Sequence, residues 1–308
     1  ANQAEEARRR ALVKDALNAF DAKVSLNVEA LYSEGRPYAK LKSGLILKGG
    51  DLHVTLRDVE LAAGTAKADF DLDASQPRPR LRWQVTMKGF EYGPLAKAIA
   101  PTTAMQGTAD LSLDIATGRL IEPLLGDANG RVNIAMYPRE LRLGSADYWG
   151  AGLLHFVQRT VDPGSESRLN CAVGSFSFKD GVASSDAFFA DTTRVRVIGA
   201  IEGNLGTGQL SGRLTPRSKN PSLFSVDPSV NIGGTIESPR VTVAPQSYLI
   251  TPLQFIFPLQ SFALSWLNSS NVPADDSDGC RVAYERAISV DTKNPQPPSE
   301  SPPRFWPF

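Results

Sequence analysis

Arg80-Leu81-Arg82-Trp83-Gln84-Val85-Thr86-Met87-Lys88 alternates polar and apolar residues without a break. Successive side chains of an extended strand point to opposite faces, so this stretch has one charged face and one apolar face. The same two-residue beat recurs in Asp69-Phe70-Asp71-Leu72-Asp73 and in Asp110-Leu111-Ser112-Leu113-Asp114-Ile115. Many such strands in series predict a sheet that is apolar on one side only. Function then turns on what covers that side.

Working outward, the pattern predicts strands at Val24/Leu26/Val28, Leu45/Leu47, Leu52/Val54/Leu56, Val59/Leu61 and Phe70/Leu72, with Gly49-Gly50 as a hairpin turn and Gly64 as a further break. Val132/Ile134/Met136 follows. After Asp162-Pro163-Gly164 strands resume at Leu169/Cys171/Val173 and Phe176/Phe178, and an Asp180-Gly181 turn leads to Phe188, Val195/Val197, Ile201, Leu210/Leu214, Val230/Ile232 and Val241/Val243. Helices are expected over Glu5–Phe20, from Gly93-Pro94 to about Ile99, over Gly118–Leu125 and over Ala146–Val161. The apolar stretch Tyr248–Leu267 is interrupted by Pro252, Gln254, Pro258 and Gln260, a poor membrane span and a better docked amphipathic helix. The fold class is therefore mainly β with a few helices. Its segments are an N-terminal helix (1–20), a β-rich segment with short helices (21–145), a second β-rich segment (146–246), an apolar helix with a Cys-containing closing segment (247–290) and a Pro-rich extended or disordered tail (291–308).

Lys plus Arg and Asp plus Glu both number 33 in the 308 residues, and the charges alternate along strands as on a solvated sheet face. Nucleic acid is a poor partner for such a chain, because neutralising phosphates needs a basic surplus or a basic face. The two cysteines, Cys171 and Cys280, are compatible with a disulfide in an oxidising compartment or with two buried thiols. A bridge would close a loop of 280 − 171 = 109 residues. The chain-entropy relation gives about 4–5 kcal/mol for a loop of that length. The chain starts at Ala1 with no Met, no apolar signal core and no cleavage-site pattern, so a targeting signal or anchor is expected outside the sequence.

Catalytic and metal chemistry finds little footing. His53 and His155 are the only histidines, and with two distant cysteines they form no metal-ligand spacing. No nucleophile elbow or phosphate loop is present. Gly206-Thr207-Gly208-Gln209-Leu210-Ser211-Gly212 approaches a dinucleotide fingerprint but runs on as strand, and reads as a hairpin turn. Asp276, Asp278, Gly279 and Glu285 fall on calcium-loop spacing, but Ala274 occupies the first ligand position, so a solvated acidic loop is the better reading. Carboxylates two apart on a strand, such as Asp69, Asp71 and Asp73, are solvated neighbours rather than an acid–base pair. No cofactor is expected, and the chain is expected not to be an enzyme. Phe305, Trp306 and Phe308 end the tail and read as part of a disordered terminus.

On periodicity alone the apolar faces would close on one another in a sandwich or barrel. The order of segments from Phe20 to Arg286 nevertheless resembles the AsmA-like family of bacterial envelope proteins. Phe20-Asp21-Ala22-Lys23-Val24-Ser25-Leu26 is similar to its repeated strand opening. Leu45-x-Leu47-x-Gly49-Gly50-x-Leu52 followed by Val59-Glu60-Leu61-Ala62-Ala63-Gly64 resembles its strand, glycine turn, strand and small-residue sequence. Leu169-Asn170-Cys171-Ala172-Val173, Phe176, Asp180-Gly181, Asp191-Thr192-Thr193, Val197-Ile198-Gly199-Ala200-Ile201, Leu210-x-x-x-Leu214-x-Pro216 and Gly233-Gly234-Thr235-Ile236-x-x-Pro239 follow in family-like order.

The resemblance implies a long curved antiparallel sheet forming a hydrophobic groove capped by short helices. It implies a periplasmic location, anchorage to the inner membrane by a segment absent from this chain, and transfer of phospholipids between inner and outer membrane. On that reading Leu52, Val54, Leu56, Phe70, Leu72, Trp83, Val85, Met87, Leu111, Leu113, Ile115, Val132 and Ile134 line the lipid-binding face. The competing reading is a non-transporting envelope scaffold that assists outer-membrane protein assembly by docking envelope membrane proteins.

Overall fold

The computed structural model describes residues 2–33, 35–61, 64–74, 79–94, 97, 104–119, 123–142, 168–219, 229–243 and 277–293. After helix α1 (Asn2–Asn18) come strands β1 (Ala22–Ser33), β2 (Arg36–Lys48), β3 (Asp51–Leu61), β4 (Thr65–Asp73), β5 (Arg80–Glu91), β6 (Ala104–Thr117) and β7 (Asn129–Arg142). They are followed by β8 (Leu169–Lys179), β9 (Val182–Thr192), β10 (Val195–Asn204), β11 (Leu210–Ser218), β12 (Val230–Gly234), β13 (Pro239–Val243) and helix α2 (Ser277–Lys293). The 13 strands form one antiparallel sheet in which every strand pairs with its sequence neighbour, in the order β1 to β13. The sheet runs without interruption through both the 21–145 and the 146–246 segments.

Turn chemistry sets the hairpins. Gly49 and Gly50 have φ of 58° and 88°, and Asp180 and Gly181 have φ of 49° and 80°. Two left-handed residues in a row match the right-handed twist of the flanking strands, and Gly, Asn and Asp are the residues that accept that conformation. β3 joins pieces that alternation alone divides: the register shift at Leu56/Val59 inserts a bulge that restarts the pattern inside one strand, whereas the shift opposite Gly199/Glu202 places its extra residue on β9, between Ser184 and Phe188.

Several expected helices need correction or lie elsewhere. Of the expected Gly118–Leu125 helix, 120–122 lie outside the described residues and 123–125 belong to successive turns over 123–127, closed by Gly126 N donating to Pro123 O and Ala128 N to Leu125 O. The acidic residue Asp127 ties this loop to β6, its carboxylate accepting from Gly118 N at 3.2 Å and from the Thr117 hydroxyl. α1 ends at Asn18 rather than Phe20, and its apolar positions find little to pack on, leaving Leu12 and Phe20 exposed. The Ala146–Val161 and Tyr248–Leu267 stretches fall outside the described residues, as does most of the expected Gly93–Ile99 helix. α2 extends to Lys293, three residues into the segment expected as tail.

Two apolar clusters lie on opposite faces of the sheet. One gathers Ala190, Val195, Val197, Ile201, Leu210, Leu214, Val230 and Ile232 from β9 to β12. The other joins Ala135, Cys171, Val173 and Phe189 of β7–β9 to Cys280, Ala283 and Tyr284 of α2. Cys280, Ala283, Tyr284 and Ile288 recur at helical spacing, which gives α2 the apolar stripe it buries. A disulfide between Cys171 and Cys280, with Cα atoms 6.3 Å apart, fixes α2 to β8.

Candidate functional site

Strand register assigns each side chain to a face. Val24, Leu45, Val54, Phe70, Trp83 and Ile115 are successive cross-strand partners from β1 to β6, and so form one row. The next row, two residues along each strand, runs Leu26, Ser43, Leu56, Ala68, Val85, Leu113, Val132 and Phe176. Outside these two, Leu47, Leu52, Leu72 and Leu81 form a third row, and Met87, Leu111 and Ile134 belong to a fourth. All thirteen residues expected to line an apolar surface thus share one face and adjoin one another. Twelve of them are half-buried, and only Ile115, at 4 % exposure, is closed off.

The centre of this surface is aromatic. Phe70 and Trp83 are direct cross-strand partners with ring centroids 6.3 Å apart and planes tilted by 42°, a favourable geometry for two quadrupoles. The face also extends beyond the expected residues. Val24 and Leu26 continue it onto β1 at 53 % and 54 % exposure, and Phe176, Phe178 and Phe188 continue it onto β8 and β9. All five lie in strands recognised from alternation. They go unassigned to the surface because only cross-strand register ties separate strands to one face.

The opposite face over β3–β6 is polar, and several of its charges are paired. Arg82 donates to both Asp114 oxygens, Nε to Oδ1 at 2.8 Å and Nη2 to Oδ2 at 2.6 Å, while Gln84 Nε2 adds a bond of 3.0 Å. The Arg82 hydrogen bond, against partial desolvation and with help from Gln84, holds the Asp114 carboxyl below its usual range. His53 Nδ1 meets Asp71, and Glu91 pairs with Arg139. A hydrogen bond from Asp73, then desolvation and like charge, raises the Asp51 carboxyl. Among the described residues no group of His, Cys, Asp and Glu is arranged to hold a metal ion. Asp278 and Gly279, placed by sequence in a calcium-type loop, instead lie in the first turn of α2.

Over β7–β9 the same opposite face turns apolar and is covered by α2. Tyr137 and Tyr284 lie at this contact, and burial pushes both phenols up to about 12. Beside it, Asp191, Arg196 and Lys219 are buried together: Lys219 Nζ lies 2.8 and 2.9 Å from the two Asp191 oxygens, and Asn170 Nδ2 donates to Asp191 at 2.7 Å. Arg196 Nε lies 3.7 Å from the same carboxylate. These groups hold β8 to β11 together and are remote from the apolar rows by facing the other way.

Among the described residues no helix is long and apolar enough to cross a membrane. No curated protein and no solved structure shows significant similarity to the chain. A model of the AsmA family matches residues 2–188, which takes in α1, the sheet from β1 to β8, most of β9 and the whole of the apolar rows. A role in the cell envelope is consistent with that match. The chain belongs to the AsmA family.

Proposed function

We propose that the apolar face shields phospholipid acyl chains in a periplasmic groove and passes them between the inner and outer membranes. The observation that carries this reading is the partly exposed surface of adjoining apolar rows from β1 to β7, within which Leu47, Leu81 and Ile115 are buried, while α2 packs on the opposite face. A soluble sheet rarely leaves so large a contiguous apolar patch to water without a ligand or partner for it. From β3 to β7 the rows cross four strand spacings, about 19 Å at ~4.8 Å each. One leaflet of a bilayer core is about 15 Å deep, so an extended acyl chain fits across the strands. Each shielded methylene contributes about 0.8 kcal/mol, enough for a chain to be held without headgroup contacts. The reading needs no catalytic group, and the Cys171–Cys280 bridge supports an oxidising compartment such as the periplasm.

The test is lipid extraction and mass spectrometry on protein purified from a periplasmic expression host. Phospholipid should co-purify with the native chain and be largely lost from Val54→Asp and Val85→Asp variants that keep the native circular dichroism. Lipid-free native protein would overturn the proposal and favour an envelope scaffold. Lipid-free native protein whose two variants merely unfold would instead favour a closed core.

A further inference from the structure

The helix that carries one end of the disulfide is also the helix that covers it. Cys171 and Cys280 are the only cysteines of the chain, and their bridge joins positions 109 residues apart. Both residues are at 0 % exposure. Cys280 stands near the start of α2 on the stripe it shares with Ala283, Tyr284 and Ile288, whereas Arg281, Val282 and Glu285 are exposed. Cys171 belongs to the same cluster as Ala135, Val173 and Phe189, the patch of β7–β9 on which that stripe packs. The sulfurs therefore sit within the helix–sheet contact, and the residues that shut them from water are those that dock the helix.

Thiol–disulfide chemistry gives this burial a consequence. A disulfide is made or broken only when a thiolate attacks a sulfur, so the rate depends on access to that sulfur. A bridge closed inside a packed contact offers none. The reduced pair would be equally inert, because a thiol in apolar surroundings stays protonated and only the thiolate is nucleophilic. Local opening of one packed element needs less free energy than unfolding the whole chain, and α2 is held on one side of a sheet whose strands pair without it. Lifting α2 is thus the shortest route to either sulfur.

We infer that α2 is a redox lock: the Cys171–Cys280 bridge is made and broken only while α2 is off the sheet, and docking seals whichever state it finds. In the lifted state one cysteine thiolate attacks the disulfide of a donor, either glutathione disulfide or an oxidised dithiol oxidoreductase, and expels one donor thiol. The second thiolate then attacks the mixed disulfide and expels the other. Two electrons and two protons pass from the cysteines to the donor. The bridge must form before α2 settles, and a chain that docks α2 while reduced stays reduced. This inference stands apart from the lipid-shielding reading.

Reduction of the full native chain with dithiothreitol tests this, read by alkylation and mass spectrometry of the freed thiols. Reduction should be at least about a hundredfold slower than for the same chain unfolded in urea. Tyr284→Ala weakens docking and should speed it about 30-fold or more. Leu214→Ala, in the cluster on the other face, lowers global stability without touching α2 and should leave the rate within about threefold of native. Native reduction as fast as in urea would overturn the lock, as would a folded Tyr284→Ala chain that is no faster than native. Equal acceleration by both substitutions would overturn it too, because exchange would then run through global unfolding. If Tyr284→Ala does not fold, the native rate and the Leu214→Ala rate decide.

Discussion

Asp191 places a carboxylate where water is excluded, and its neighbours are chosen accordingly. Lys219 contacts both oxygens and Asn170 donates a further hydrogen bond. Taking ions out of water is expensive, so removing one partner of a buried pair is far more damaging than losing a surface pair. Asp191→Asn should destabilise the protein by about 3–5 kcal/mol, read from urea unfolding midpoints. Asp114 gives the contrasting case. Its folded-state pKa is depressed by Arg82, so its contribution is present above the usual carboxylate pKa and is lost as pH falls through the lower folded value. Both partners are nearly half exposed, and solvent screening keeps the contribution small. Arg82→Gln should flatten the acid limb of stability against pH while leaving neutral-pH stability within about 0.5–1 kcal/mol of native. An unchanged acid limb would show that the pair does not shape it.

At the level of elements, α2 is the one helix with a built contact on the sheet among the described residues, and its disulfide closes the longest covalent loop available to the chain. Removing the bridge with Cys171→Ser and Cys280→Ser together should lower stability by up to about 4–5 kcal/mol. Hydrogen exchange should show α2 amides losing protection before those of β3–β7. Uniform loss across both would mean that α2 and the sheet unfold as one unit. The tyrosines beneath the helix report on the same contact. Tyr137 and Tyr284 have raised folded pKa values of about 12, so the stability they carry is complete below the ordinary tyrosine range and is lost as pH rises toward 12. An ultraviolet titration should show phenols that ionise only near that pH, and that return to the ordinary range in the double cysteine variant if α2 detaches.

For the whole molecule, a nearest-neighbour meander lets one face stay open in one half and close in the other without any change of topology. The two halves should differ in their tolerance of truncation. Leu214→Ala, in the closed cluster, should cost about 2–5 kcal/mol, whereas trimming Leu113 on the half-exposed rows should cost distinctly less. Equal losses in urea melts would show that both halves are core.

Most strands were legible because alternation is a local property: Arg80–Lys88 declares its two faces without reference to any other part of the chain. The Gly49-Gly50 and Asp180-Gly181 turns were legible for the same reason, since left-handed φ restricts residue choice on the spot. The end of the helix expected over Gly118–Leu125 is instead a turn, because short apolar runs carry too few periods to separate helix from consecutive turns. By itself, then, the sequence determined where strands lie, which residues share a side within each strand, and where the chain reverses. Only the tertiary structure decided that thirteen strands pair in one sheet, that Cys171 meets Cys280, and that α2 packs on the face opposite the apolar rows. Those outcomes depend on contacts between residues far apart in the chain, for which no short stretch carries a signal.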